Sequence, residues 1–100
     1  MEWSIQALAR AAGTTSRTLR YYGERGLLMP TSTGANGMRF YDESALGTLL
    51  RIRILRDYDV GLEAIEDALS RDVDTVTALR EHADQMRQHR RELTRRIASL

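Results

Sequence analysis

Residues 14–26 read TTSRTLRYYGERG, and this stretch decides how the rest of the chain is read. Thr15 or Ser16 can supply an N-cap hydroxyl, and Gly26 can supply the left-handed residue that ends a helix. Between them Leu19 and Tyr22 lie three apart and can face a core together. Arg17, Arg20, Tyr21 and Glu24 then fall mostly on the opposite side. A short helix that presents guanidinium groups, hydroxyls and a phenol suits phosphate oxygens and base edges. An ordinary amphipathic helix with a solvated arginine face has the same pattern, so the flanking segments must separate the two.

Upstream, Ser4 can cap a first helix whose apolar side is Ile5, Leu8, Ala9 and Ala12, with Gly13 ending it. A tight glycine turn followed by a second capped helix is the helix-turn-helix arrangement, in which the second helix is free to enter a groove. Downstream, Leu27, Leu28 and Met29 form an apolar run closed by Pro30. The turn residues TSTGANG and a second run, Met38 to Tyr41, follow. Two short extended runs about such a turn predict a small hairpin, a wing beside the helix-turn-helix, with Arg39 as its phosphate or minor-groove contact.

Asp42 is a good N-cap for a third helix running to about Tyr58. Leu46, Leu49, Leu50, Ile54 and Leu55 are its expected buried stripe, and Arg53 and Arg56 lie off it. The segment Asp57 to Gly61 breaks that helix. A fourth, from about Leu62 to Ser70, turns Leu62, Ile65 and Leu69 inward and Glu63, Glu66 and Asp67 outward. The last stretch changes period. Val76, Leu79, Ala83, Met86, Arg90, Leu93, Ile97 and Leu100 alternate spacings of three and four, which is a heptad seam broken only at Arg90. One helix of about 25 residues, roughly 37 Å long, cannot hide that seam alone. The expected partner is a second copy, giving a homodimer. His82 and His89 flank the seam seven apart and have no third ligand nearby, so they read as solvated residues and no metal site is expected.

Composition sets the outer limits. One hundred residues make one domain or one small domain with an appended element. The division read here is a DNA-binding domain over residues 1–72 and a dimerisation helix over 73–100. Net charge is only +1, but it is segregated. Seven Arg against three acids lie between Thr15 and Arg56, a net of +4, and seven acids against Arg71 lie between Asp57 and Asp74, a net of −6. The absence of Cys excludes disulfides, thiolate zinc sites and iron–sulfur clusters. No apolar run approaches a membrane span and no signal peptide opens the chain, so a cytoplasmic location is the default expectation. No nucleophile–base set, metal cluster or phosphate loop is present, which argues against an enzyme, and no cofactor is expected.

In this order the pieces resemble the DNA-binding part of the MerR family of bacterial transcription regulators. The residues that carry the likeness are SIQALARAAGTTSRTLRYYGERGLLMP (4–30), NGMRFYDESAL (36–46) and RIRILRDYDVGLEAIEDAL (51–69). The resemblance implies a mainly helical fold with a small β-hairpin wing: a winged helix-turn-helix, a second helix pair acting as another wing, and a long helix that forms an antiparallel coiled coil in a homodimer. It assigns DNA contact to Thr15, Ser16, Arg17, Thr18, Arg20, Tyr21 and Tyr22 of the recognition helix and to Arg39 and Tyr41 of the wing. The heptad seam places dimerisation at Val76, Leu79, Ala83, Met86, Leu93, Ile97 and Leu100, and the resemblance agrees with it. It further implies a palindrome in double-stranded promoter DNA as the target, bent and untwisted so that RNA polymerase can engage both promoter elements.

The chain departs from the family pattern in three places. The wing has Gly37-Met38-Arg39 where Gly-Tyr-Arg is usual. The turn before the fourth helix has Asp59-Val60-Gly61-Leu62 where Gly-Phe-Ser/Pro-Leu is usual, which places a carboxylate where a phosphate would approach. Family members usually continue into an effector-sensing domain, and this sequence stops at Leu100 in heptad register. Two other functions fit the same elements: an architectural DNA bender, and a protein-interaction module whose coiled coil recruits a partner.

Overall fold

The computed structural model describes residues 1–100 and forms two compact units, Met1–Arg53 and Ile54–Leu100. The elements in order are β1 (Trp3–Ser4), α1 (Ile5–Ala11), α2 (Ser16–Glu24), β2 (Ser32–Thr33), β3 (Arg39–Tyr41), α3 (Glu43–Asp57), α4 (Leu62–Ser70) and α5 (Thr75–Ala98). No helix is long and apolar enough to cross a membrane.

In the first unit Leu8, Ala9 and Ala12 of α1 close with Leu19 of α2, Leu28, Tyr41, and Ala45 and Leu49 of α3 into one apolar cluster. Trp3, Ile5, Tyr22 and Leu46 pack around it. The small sheet is antiparallel in the order β1-β3-β2, with Trp3 opposite Tyr41 and Thr33 opposite Arg39. Its first strand was not expected from sequence, because two residues carry no periodicity. The wing hairpin is present, but its first arm is Ser32–Thr33 and not Leu27–Met29. Leu27 and Leu28 are buried instead, since leaving the end of α2 they drop directly into apolar surroundings.

Caps fix the helix starts. Ser4, Thr15 and Asp74 each accept the backbone N–H three residues on, at the heads of α1, α2 and α5. Asp42 does the same for Ala45 at the head of α3. The ends of α1, α2, α3 and α4 are alike. Thr14, Leu27, Val60 and Val73 each donate to the carbonyl five residues back, and Gly13, Gly26, Asp59 and Asp72 to the carbonyl three back. These last four residues all have positive φ, between 53° and 75°. This is the Schellman stop, which satisfies carbonyls the helix leaves orphaned. Its left-handed position costs glycine nothing and an aspartate something.

The buried side of α3 differs from expectation. Ala45, Leu49, Ile52 and Leu55 are buried, while Leu50 and Ile54 are both 42% exposed and Leu46 is half-buried. The run LLRIRIL supports two apolar faces about 100° apart, and the spacing rule alone does not choose between them. In the second unit Val60, Ile65, Ala68 and Ala78 are buried, with Leu62, Leu69 and Leu79 half-buried beside them. Arg71 at the end of α4 donates from Nε to Asp67 at 2.8 Å and from Nη2 to Glu81 of α5 at 2.7 Å.

Candidate nucleic-acid interface

The surface of α2 follows from its period. Leu19 is fully buried and Tyr22 packs against the core, so the faces 100° and more away carry Arg17, Arg20, Tyr21 and Glu24 into solvent. At the head of the helix the Thr15 hydroxyl accepts the Thr18 N–H at 3.1 Å and lies 3.0 Å from the Thr18 hydroxyl. Thr15 is exposed, and Ser16 and Thr18 are half-buried. At the other end the Arg25 guanidinium lies 5.9 Å from the centroid of the Tyr21 ring, and its Nη1 donates to the Tyr21 hydroxyl at 3.2 Å. That contact restrains an exposed phenol which otherwise has two free torsions.

The wing stands next to this face. Arg20 and Glu24 of α2 share an open groove of about 420 Å³ with Met38 and Arg39 of the wing and with Ser4 and Gln6 at the start of α1. Two arginines from separate elements therefore border one concave surface. Arg39 is exposed, and its neighbour Met38, which stands where the resemblance expects a phenol, is 46% exposed.

Burial bears on two of the expected contacts. Tyr41, an expected wing contact, is 2% exposed and belongs to the core cluster. Arg39 and Tyr41 lie two apart and so share a face of β3, but Arg39 pairs with Thr33 toward the exposed end of the wing, whereas Tyr41, paired with Trp3, lies where the sheet meets the core cluster. Tyr22 is half-buried against the same core, so only its edge remains for a ligand. Arg53, left as an off-stripe residue of α3 by the sequence, reaches the helix-turn-helix itself: its Nη1 donates to the carbonyl of Ala12. No sequence signal marks that contact, which joins residues 41 apart.

The turn ahead of α4 repeats the turn ahead of α2. A left-handed residue, one further residue and an extended N-cap lead into a nine-residue helix in both: Gly13, Thr14 and Thr15 before α2, and Asp59, Val60 and Gly61 before α4. Gly61 offers no side-chain cap. Val60 is buried at the position where the family pattern has Phe, and the Asp59 side chain is exposed on the turn.

Along α5 the seam residues divide. Leu79 and Ala83 are half-buried, whereas Val76, Met86, Leu93 and Ile97 are exposed, Ile97 at 68%. From Asp84 to the end every residue except Glu92 is exposed, Arg90 and His89 included.

The model of the MerR HTH family regulatory protein matches residues 3–72, from the first strand to the turn after α4. The chain belongs to the MerR family. The transcriptional regulator BrlR of Pseudomonas aeruginosa is 46% identical over 70 residues, which are 69% of this chain and 26% of that protein. The chain spans about a quarter to two fifths of the length of the first curated relatives it matches. Among solved structures, a MerR family transcriptional regulator from Bacillus cereus superposes with a TM-score of 0.75 at 29% identity, covering 95% of this chain and 72% of that one. HiNmlR, a MerR family regulator lacking the sensor domain and crystallised bound to promoter DNA, shares the fold with a TM-score of 0.70 at 20% identity, covering 97% and 79%.

Proposed function

We propose that this MerR family chain is a transcription regulator that binds double-stranded promoter DNA as a homodimer. It inserts α2 into the major groove at each half of a palindrome and distorts the spacer between the halves. The observation that carries this reading is the groove in which Arg20 of α2 and Arg39 of the wing meet, beside the exposed Arg17 and Tyr21. Thr15, Ser16 and Thr18 at the head of α2 complete the contact surface, and Tyr22 contributes only its outer edge. HiNmlR, a protein of the same fold, was captured on promoter DNA, which supports the choice of ligand.

Residues 1–72 are the DNA-binding part of this proposal, and residues 73–100 the dimerisation helix. Val76, Met86, Leu93, Ile97 and Leu100 leave an apolar seam exposed on one copy, and the half-buried Leu79 and Ala83 continue it. A helix of this length with such a seam is marginal in water and gains its stability by packing against another copy. Two recognition helices held by one dimer read two half-sites, and the energy of deforming the DNA between them is offset by contacts at both ends. RNA polymerase is the machinery that such a distortion serves.

The test is a binding titration with a duplex enriched from a random-sequence pool and with its scrambled counterpart. Arg17→Ala is expected to weaken the enriched duplex by about 1–3 kcal/mol more than the scrambled one if Arg17 reads a base. Wild-type chain that binds neither duplex at low salt, or that scatters light as a monomer with and without DNA, would refute the proposal.

A further inference from the structure

Arg53 is used by neither the recognition helix nor the wing. It stands on α3, yet its Nη1 donates to the Ala12 carbonyl at the end of α1, at the turn that leads into α2. The guanidinium lies directly over Gly13. A Cβ added there would fall 2.6 Å from Nη1, with Cζ at 3.4 Å and Nη2 at 3.5 Å. The positive φ of the helix stop is what asks for glycine at position 13, and the tip of the flexible Arg53 side chain takes the space that this leaves.

The bond to Ala12 does not neutralise the charge. A peptide carbonyl is a dipole, no carboxylate lies within ion-pairing distance of Arg53, and the residue is exposed. A guanidinium carries five N–H donors in a planar fork, so several remain for a second acceptor. Elsewhere in the chain exposed arginines do find carboxylates, as Arg71 and Arg87 do. In a helix-turn-helix bound to DNA the first helix crosses the phosphate backbone and the turn stands beside it. An uncompensated cation pinned to that turn faces the polyanion.

We propose that Arg53 is a phosphate contact: its guanidinium bridges the Ala12 carbonyl and one backbone phosphate of the bound duplex. α3 then grips DNA through the same turn that aims α2. The contact is blind to sequence and fixes the register of the recognition helix. This inference rests on the reading of α2 as the recognition helix.

The experiment measures binding of the full chain to an enriched and a scrambled duplex over a salt series from about 50 to 200 mM. Arg53→Gln is expected to lose about tenfold in affinity for both duplexes alike. Its plot of log affinity against log salt should be shallower by about 1 for each arginine removed. Arg53→Lys keeps the charge and should keep the slope. An unchanged slope in Arg53→Gln, whatever happens to its melting temperature, would make the bond to Ala12 purely structural and overturn the proposal. Should Arg53→Gln fail to fold, Arg53→Met keeps the stem and carries the same comparison; loss of the fold in both variants also makes the residue structural. Wild-type chain that binds no DNA brings down the recognition-helix reading instead, and the two failures are distinguishable.

Discussion

Gly26 and Asp59 hold the same place at the ends of different helices, with φ of +75° and +61°. Each donates its N–H to the carbonyl three back, and each is followed by a buried apolar residue, Leu27 and Val60. The aspartate has a Cβ to accommodate where the glycine has none. Asp59→Gly should therefore stabilise the chain by about 0.5–1 kcal/mol, the left-handed strain relieved being partly offset by the added freedom of the unfolded chain. Gly26→Asp should destabilise it. Urea denaturation of the two variants checks both signs, and a destabilised Asp59→Gly would contradict the account.

Tyr41 is buried in the core cluster although its place in the wing suggests a DNA contact. A core role and a contact role make opposite forecasts. Tyr41→Ala should cost about 3–5 kcal/mol of stability, as for other large-to-small aromatic truncations in a packed core. Tyr41→Phe keeps the ring in place and should leave DNA affinity unaltered. A Phe variant that folds normally and binds DNA more weakly would restore the hydroxyl to the interface.

The seam of α5 contains one cation, Arg90, among apolar residues. If two copies zip along it, Arg90→Leu should raise the association constant and the melting temperature, while Ile97→Asp should lower both. Sedimentation at graded concentrations measures the equilibrium for each. Equal association of wild type and Ile97→Asp would remove the C-terminal half of the helix from the interface.

Acid should weaken the first unit. The backbone N–H of Ala45, together with Thr31, holds the Asp42 carboxyl below its ordinary value of 3.8, and the Met1 ammonium does the same for Glu43 below 4.5. A carboxyl whose folded pKa is depressed binds its proton more readily when unfolded. Its contribution is present above the ordinary value and is lost as pH falls through the folded one. The Met1 ammonium, raised above 8.0 by Glu43, has the opposite sign: its contribution is complete below 8.0 and disappears as pH rises through the folded value. Melting temperature should fall below about pH 4, and Asp42→Asn should flatten that limb without altering the alkaline one.

Much of this was legible from residue order. Capping hydroxyls at Ser4 and Thr15, stops at Gly13 and Gly26, and the heptads after Val76 are local signals, and local chemistry determined those elements. The structure added what depends on partners distant in sequence. β1 exists only because Trp3 finds Tyr41. Ala45 and Leu49 of α3 are buried, with Leu46 half-buried beside them, and the equally apolar Leu50 and Ile54 are not, because α1 and α2 pack on the first face. The bond from Arg53 to Ala12 spans 41 positions and has no periodicity to betray it.

Between Gly13 and Thr15, and again between Asp59 and Gly61, a single residue separates the stop of one helix from the start of the next. Such joints have no slack. One amino acid inserted after Thr14 would rotate the face of α2 by roughly 100° and carry Leu19 out of the core with it. The loop through Gly34 and Asn36, by contrast, can lengthen without disturbing either strand. A protein built this way accepts added length at the tip of its wing and not at these joints, and the joints therefore hold the angle at which its arginines are offered.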